Sequence, residues 1–270
     1  MTRATLTRPI DQTAVSAGAG RMPAARPEGQ SAPTAGRRGS EIPTPATANQ
    51  STRQAGTIAG VGLLAMSVLS AVGYLLAVKG LVVSGSAAQT AENIAGHEAL
   101  FRFGIVSLYA VAALDVVVAW ALYRLFKPAS EGVAKLAAGL RVAYAGVFVV
   151  AISQLVGALR VPSQALGHIN TFTNIWDGGL VLFGLGLFVL AYLAHRSGYV
   201  PKLLSVLLAI AGFGYVFDTM ARVLTRSLSA DISAITGMGE FVFAVWLVIR
   251  GRRIKVSDSE SANNSMGAAR

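Results

Sequence analysis

Cysteine is absent from the 270 residues, which excludes disulfides, thiolate metal sites and iron–sulfur clusters. Charge is scarce too: 13% of residues are Asp, Glu, Lys or Arg, against about 25% in a soluble domain. Proline is nearly missing after the start, since six of the nine lie within residues 1–53. No Gly-rich phosphate loop ending in Gly-Lys-Ser/Thr and no Gly-x-Ser-x-Gly elbow is present, so neither nucleotide-loop nor hydrolase-elbow chemistry is expected. His97-Glu98 begins like a zinc-protease helix, but its fifth position is Phe101 and not histidine. His168, Asn170 and Asn174 read as solvated loop polarity. The sequence therefore predicts no catalytic residue, no metal site and no cofactor.

What is present in quantity is apolar sequence. Six runs succeed one another, Ile58–Val78, Phe103–Phe126, Leu140–Leu159, Leu180–Ala194, Leu203–Phe217 and Ile232–Ile249. A hydrocarbon core of about 30 Å takes roughly 20 residues of helix, and most of the runs reach or approach that length. The expected fold is all-α, a polytopic membrane bundle of six transmembrane helices over about 57–79, 103–126, 138–159, 178–196, 202–221 and 232–250. These form a membrane domain at 54–253. No proline falls inside the six cores; Gly178-Gly179, Gly184-x-Gly186 and Gly212-x-Gly214 are the candidate break points, and close helix packing is the favoured account of them. Residues around Thr90–Arg102 read as a short interfacial helix leading into the second span.

The formal charge of +10 is not a nucleic-acid signal once it is located. Residues 1–53 hold seven Arg against Asp11, Glu28 and Glu41, and residues 250–270 hold five basic against two acidic groups. Both stretches lack an apolar period, so 1–53 is expected to be a disordered basic Pro/Ala-rich cytoplasmic tail and 254–270 a short polar one. With the N-terminus inside, thirteen Lys and Arg fall on the cytoplasmic side and only Lys79, Arg102, Arg160, Arg222 and Arg226 outside. The positive-inside rule then puts both termini in the cytoplasm of a multi-pass protein. Trp246 and Trp176 read as interface anchors.

Six ionisable residues within or at the edge of the apolar helices are the candidate functional groups, because a charge near a helix centre costs about 2.5–3.5 kcal/mol on insertion scales. They are Asp115, Glu240, Arg141, Asp218, Arg222 and Asp177. Asp115 has Ala112 and Ala119 beside it, and Glu240 has Thr236, Gly237 and Ala244, the small residues of a helix–helix contact. The i,i+4 spacing allows an Asp218–Arg222 ion pair. Asp177 is expected at the start of the fourth helix, where the dipole favours a carboxylate. Two accounts fit the set: structural pairs that fix the register of the bundle, or a polar cavity opening toward the outer face.

Several phrases, in this order and spacing, resemble a known family. They include Glu92-Asn93-Ile94-Ala95, Leu114-Asp115-Val116, Lys127-Pro128, Leu140-Arg141-Val142 and Trp176-Asp177. Further along come Leu182-Phe183-Gly184-Leu185, Arg196-Ser197-Gly198-Tyr199-x-Pro201, Ala211-Gly212-x-Gly214-Tyr215 and Gly239-Glu240. Over roughly 55–253 the chain is similar to the bacterial domain-of-unknown-function 4386 family of integral membrane proteins. The resemblance implies a multi-helix protein of the bacterial inner membrane, and it carries no activity.

For function, the lack of catalytic motifs and the small soluble mass favour a non-enzymatic sensing, scaffolding or regulatory bundle. A permease or ion-coupled carrier using the buried carboxylates is the alternative, and an intramembrane enzyme the third. The expected partners are the lipid bilayer and an unidentified protein or small molecule, with no nucleic acid.

Overall fold

A computed structural model describes residues 45–224 and 232–253, and among the described residues every regular element is helical. Helix α1 (Pro45–Ser70) runs on into a single π-helical stretch, Ala71–Leu76, where the Ala77 N–H reaches back to the Val72 carbonyl at 3.2 Å. A short helix α2 (Ala87–Gly96) follows, then α3 (Glu98–Phe126), α4 (Glu131–Arg160), α5 (Ala165–Ser197) and α6 (Lys202–Leu224). The described chain ends in α7 (Ile232–Thr236) and α8 (Met238–Arg250).

Local chemistry sets these boundaries. Ser86 caps α2 by accepting the Gln89 N–H, and Thr90 ties the preceding loop through the Val83 N–H at 3.0 Å, a side chain taking up an otherwise orphaned donor. Lys127-Pro128 stops α3 and Pro162 follows α4, because a proline has no N–H to continue the ladder. Gly198 closes α5 at φ 72° in the left-handed region, where glycine meets no Cβ penalty. The short helix expected before the second span is α2.

Five stretches are long and apolar enough to cross a membrane: Gln50–Leu81, Glu98–Phe126, Glu131–Arg160, Pro162–Ser197 and Lys202–Leu224. The sixth expected span, 232–250, is divided into α7 and α8 at Gly237, where the Glu240 N–H turns to the Gly237 carbonyl at 3.0 Å in a tighter i→i+3 turn. The break thus falls at Gly237, and none falls at the glycines singled out in α5 and α6, whose helices are continuous.

Other boundaries move as well. Helix α1 starts at Pro45, inside the stretch expected to be tail, because Thr52 and Ala55 are already buried against the bundle. The rest of both expected tails, 1–44 and 254–270, lies outside the described residues. Helix α5 begins at Ala165, well before the expected 178. Its polar first turns are compatible with helix: Thr171 and Thr173 hydrogen-bond back to the Gly167 and Ile169 carbonyls, while Ala165, Ile169 and Phe172 bury one face.

The long helices form a ring. In order, α1 packs on α3, α3 on α4, α4 on α5, α5 on α6, α6 on α8, and α8 returns to α1. Large apolar side chains such as Val68, Val106, Trp120, Phe213 and Ile249 point outward, more than half of each one's surface exposed, as lipid-facing residues must. Small residues bring neighbours close. A Cβ on Gly184 would lie 2.8 Å from the Gly212 carbonyl oxygen, and the reverse distance is the same. Here α5 and α6 meet backbone to backbone, which is the packing role expected of these glycines.

Candidate functional site

Within the ring lies an open cavity of ≈ 520 Å³ to which all six of its helices contribute. Ser67 and Ser70 of α1 line it, with Asp115 of α3, Arg141 and Tyr144 of α4, Trp176 and Asp177 of α5, Tyr215 and Arg222 of α6, and Glu240 of α8. Tyr74, on the π-helical stretch, and Gly237, at the break between α7 and α8, also face it. Of the six ionisable candidates from the sequence, five therefore share one cavity.

At its floor, Arg141 Nε lies 2.6 Å from Asp115 Oδ1, with the two side chains 8% and 1% exposed. The pair is close without being aligned as a hydrogen bond, so both buried atoms lack a directed partner. Arg141 also stands over the Phe183 ring, 5.3 Å from its centroid, a cation–π contact. Glu240 is the third ionisable group of the floor, beside the Tyr215 hydroxyl and within the field of Arg141. Asp115 sits on the face of Ala112 and Ala119, both buried, as its neighbours in sequence indicate. Nearer the other end, Arg222 Nη1 meets Asp177 Oδ2 at 2.7 Å, both side chains partly exposed.

Two expectations about these residues change. Asp177 does not open a helix: α5 has already run from Ala165, and the carboxylate answers Arg222 across the α5–α6 contact. Asp218 leaves the cavity set. Buried to 2% exposure, its Oδ1 accepts the Ile232 N–H at 3.2 Å and so holds the start of α7. Arg222 therefore bridges between helices where the i,i+4 spacing pointed along one.

The sequence also missed the aromatic lining. Trp176, read as an interface anchor, donates its Nε1–H to the Tyr144 hydroxyl at 2.8 Å inside the bundle. Six rings form a continuous wall from Tyr215 to Phe183 (5.3 Å between centroids), Tyr144 (4.9 Å), Phe148 (6.0 Å), Trp176 (5.4 Å) and Tyr74 (4.8 Å). A signal was available: Tyr144 is three residues after Arg141 and Tyr215 seven before Arg222, spacings that put ring and charge on one helix face.

Arg141 and Phe183 border a second, much smaller void of ≈ 20 Å³ on the side of Tyr123 and Phe126, room for about one water. Among the described residues, no group of three His, Asp or Glu is arranged to hold a metal ion.

Residues 58–251 match the family model described as a domain of unknown function, DUF4386, and the chain belongs to that family. It is also 36% identical over 152 residues to an uncharacterised protein of Archaeoglobus fulgidus, a match covering 56% of this chain and 86% of that protein. No solved structure matches. The family stands as the sequence phrases indicate, while the restriction to bacteria is not part of either match.

Proposed function

We propose that this DUF4386 member is a non-enzymatic membrane bundle that binds a small polar molecule in its central cavity and reports or regulates through that binding. One observation carries the reading: five ionisable groups from five helices and three tyrosines converge on one ≈ 520 Å³ volume. That size is ordinary for a small-molecule site, in which a few placed polar groups orient a ligand against aromatic surface. Charges needed only for register could pair anywhere along the helix contacts; here both pairs and Glu240 border one shared space. The protein acts in the cytoplasmic membrane with both termini inside.

A carrier is the second reading, favoured by two features that the sequence did not show. The Gly237 break and the π-helical stretch both line the cavity, and interrupted helices at a midplane site are common in carriers. Arg141 further separates the cavity from the small void beyond it, the place of a gate.

The cysteine-free chain makes the test simple. Ser67→Cys or Ser70→Cys introduces the sole thiol, and a small charged methanethiosulfonate reagent should modify either from the outer side at a rate near that of Gly85→Cys in the α1–α2 loop. Ala59→Cys, fully buried between helices, is the unreactive control. Protection of both cavity thiols on the time scale that labels Gly85→Cys would remove the ligand-cavity reading. Labelling of Ser67→Cys from both membrane sides would favour the carrier.

A further inference from the structure

Building on the ligand-cavity reading, we propose that the cavity takes an organic ammonium ion, its charge against Glu240 and its apolar body along the aromatic wall. The charges decide the sign. Arg141 is in ion-pair contact with Asp115, and Arg222 with Asp177. Glu240 lies beside the Tyr215 hydroxyl and makes no ion pair among the described residues. The floor, made of Asp115, Arg141 and Glu240, therefore holds one more carboxyl group than it has cationic groups. A carboxyl group with no ion-pair partner of its own favours an incoming cation, whose charge stabilises the ionised form. Lys79 also borders the cavity, but it is exposed at the chain's turn out of α1, where solvent screens it.

The wall decides the chemical class. Ring faces attract a desolvated cation and at the same time provide apolar contact, and the six rings run unbroken from Tyr215, beside Glu240, to Tyr74. An inorganic divalent ion would instead want several oxygen ligands at one point, and no cluster of three His, Asp or Glu is arranged for one among the described residues. A purely anionic ligand would find Arg141 and Arg222 each already facing a carboxylate.

The experiment uses the full-length protein in detergent with Trp120→Phe and Trp246→Phe, two sites outside the cavity, so that Trp176 alone reports. Benzyltrimethylammonium, phenylmethanesulfonate and benzyl alcohol serve as cationic, anionic and neutral probes of similar size. Saturable quenching of Trp176 is expected with the ammonium ion, at least tenfold tighter than with the other two. Glu240→Gln should weaken it tenfold or more, and Glu240→Asp, which keeps the charge but withdraws it, by several-fold. Equal response to all three probes, saturation by the sulfonate alone, or an ammonium affinity unmoved by both Glu240 variants would each overturn the proposal. The probe series reads the unmutated floor, so it decides even if Glu240→Gln fails to fold. Thiol labelling at Ser67→Cys is independent of ligand sign: labelling without ammonium binding defeats this inference alone, while protection from labelling defeats the reading beneath it.

Discussion

Asp115 and Arg141 meet at 2.6 Å between α3 and α4, and neither side chain is more than 8% exposed. A pair in that setting is lopsided: the loss of one member strands the other as a lone buried charge, whereas the loss of both removes the problem.

Asp115→Leu alone should therefore destabilise the bundle by about 3–5 kcal/mol, and Asp115→Leu combined with Arg141→Leu should recover most of that loss. Thermal unfolding in detergent measures both. A double variant no more stable than the single one would mean that the ion pair is not what the two residues share.

Close approach of α5 and α6 leads to a second expectation. Gly184→Ala places a methyl group 2.8 Å from a backbone oxygen that cannot move aside, and overpacking of this kind costs about 1–3 kcal/mol. Gly178→Ala, six residues earlier on the same helix with nothing within 4 Å of the added Cβ, should be neutral or stabilising by up to about 1 kcal/mol. The two melting temperatures, compared side by side, check the contact.

Tyr199, in the loop between α5 and α6, donates its hydroxyl to the Leu125 carbonyl at 2.7 Å and stacks on Phe126. Burial raises its pKa above the ordinary tyrosine value. A phenol held protonated in the folded state stabilises fully below its unfolded pKa of about 10, and that stability is lost as the pH rises through the folded value. Stability should thus fall on the alkaline side of about pH 10. Tyr199→Phe should flatten this fall while costing about 1 kcal/mol at neutral pH through the lost hydrogen bond. Urea or thermal unfolding at pH 8 and pH 10.5 separates the two effects.

Orientation in the membrane has its own test. Reporter fusions after Gly85 and Arg160 should read outside, and those after Ser130, Ser197 and Arg253 inside, as the Lys and Arg distribution requires. A fusion after Arg253 that reads outside would mean that α7 and α8 together do not cross, leaving five spans.

Much of this was legible in the apolar runs. Span length is a matter of composition, so five of the runs locate long helices directly, and Asp115 announces its buried face through Ala112 and Ala119. Helix starts were not legible where polar residues extend a span. The Thr171 and Thr173 hydroxyls satisfy themselves on their own backbone, so α5 begins a dozen residues before hydropathy shows it. Partners were least legible of all. Asp177 and Arg222 are 45 positions apart, and Asp115 and Arg141 are 26; spacing along one helix says nothing about which neighbour a ring of helices supplies. The break at Gly237 was hidden for a related reason, since glycine in a membrane helix serves packing as often as bending.

The return of α8 to α1 makes the order of the helices cyclic. The backbone of Gly251 lies against Gly56 and Thr57, with a Cβ there only 3.1 Å from the Gly56 carbonyl carbon, and Arg53 and Arg252 border the same surface hollow. Where the chain starts is then a genetic fact more than an architectural one. A circular permutant with a linker from Arg253 to Pro45, opened in the short loop at Ala129-Ser130, would trace the same ring and enclose the same cavity. Its new ends would lie on the surface where chain cleavage is best tolerated. Such a chain would also bring the two halves of the Asp115–Arg141 pair to opposite ends of the sequence, so that the pair could form only when the whole ring has closed.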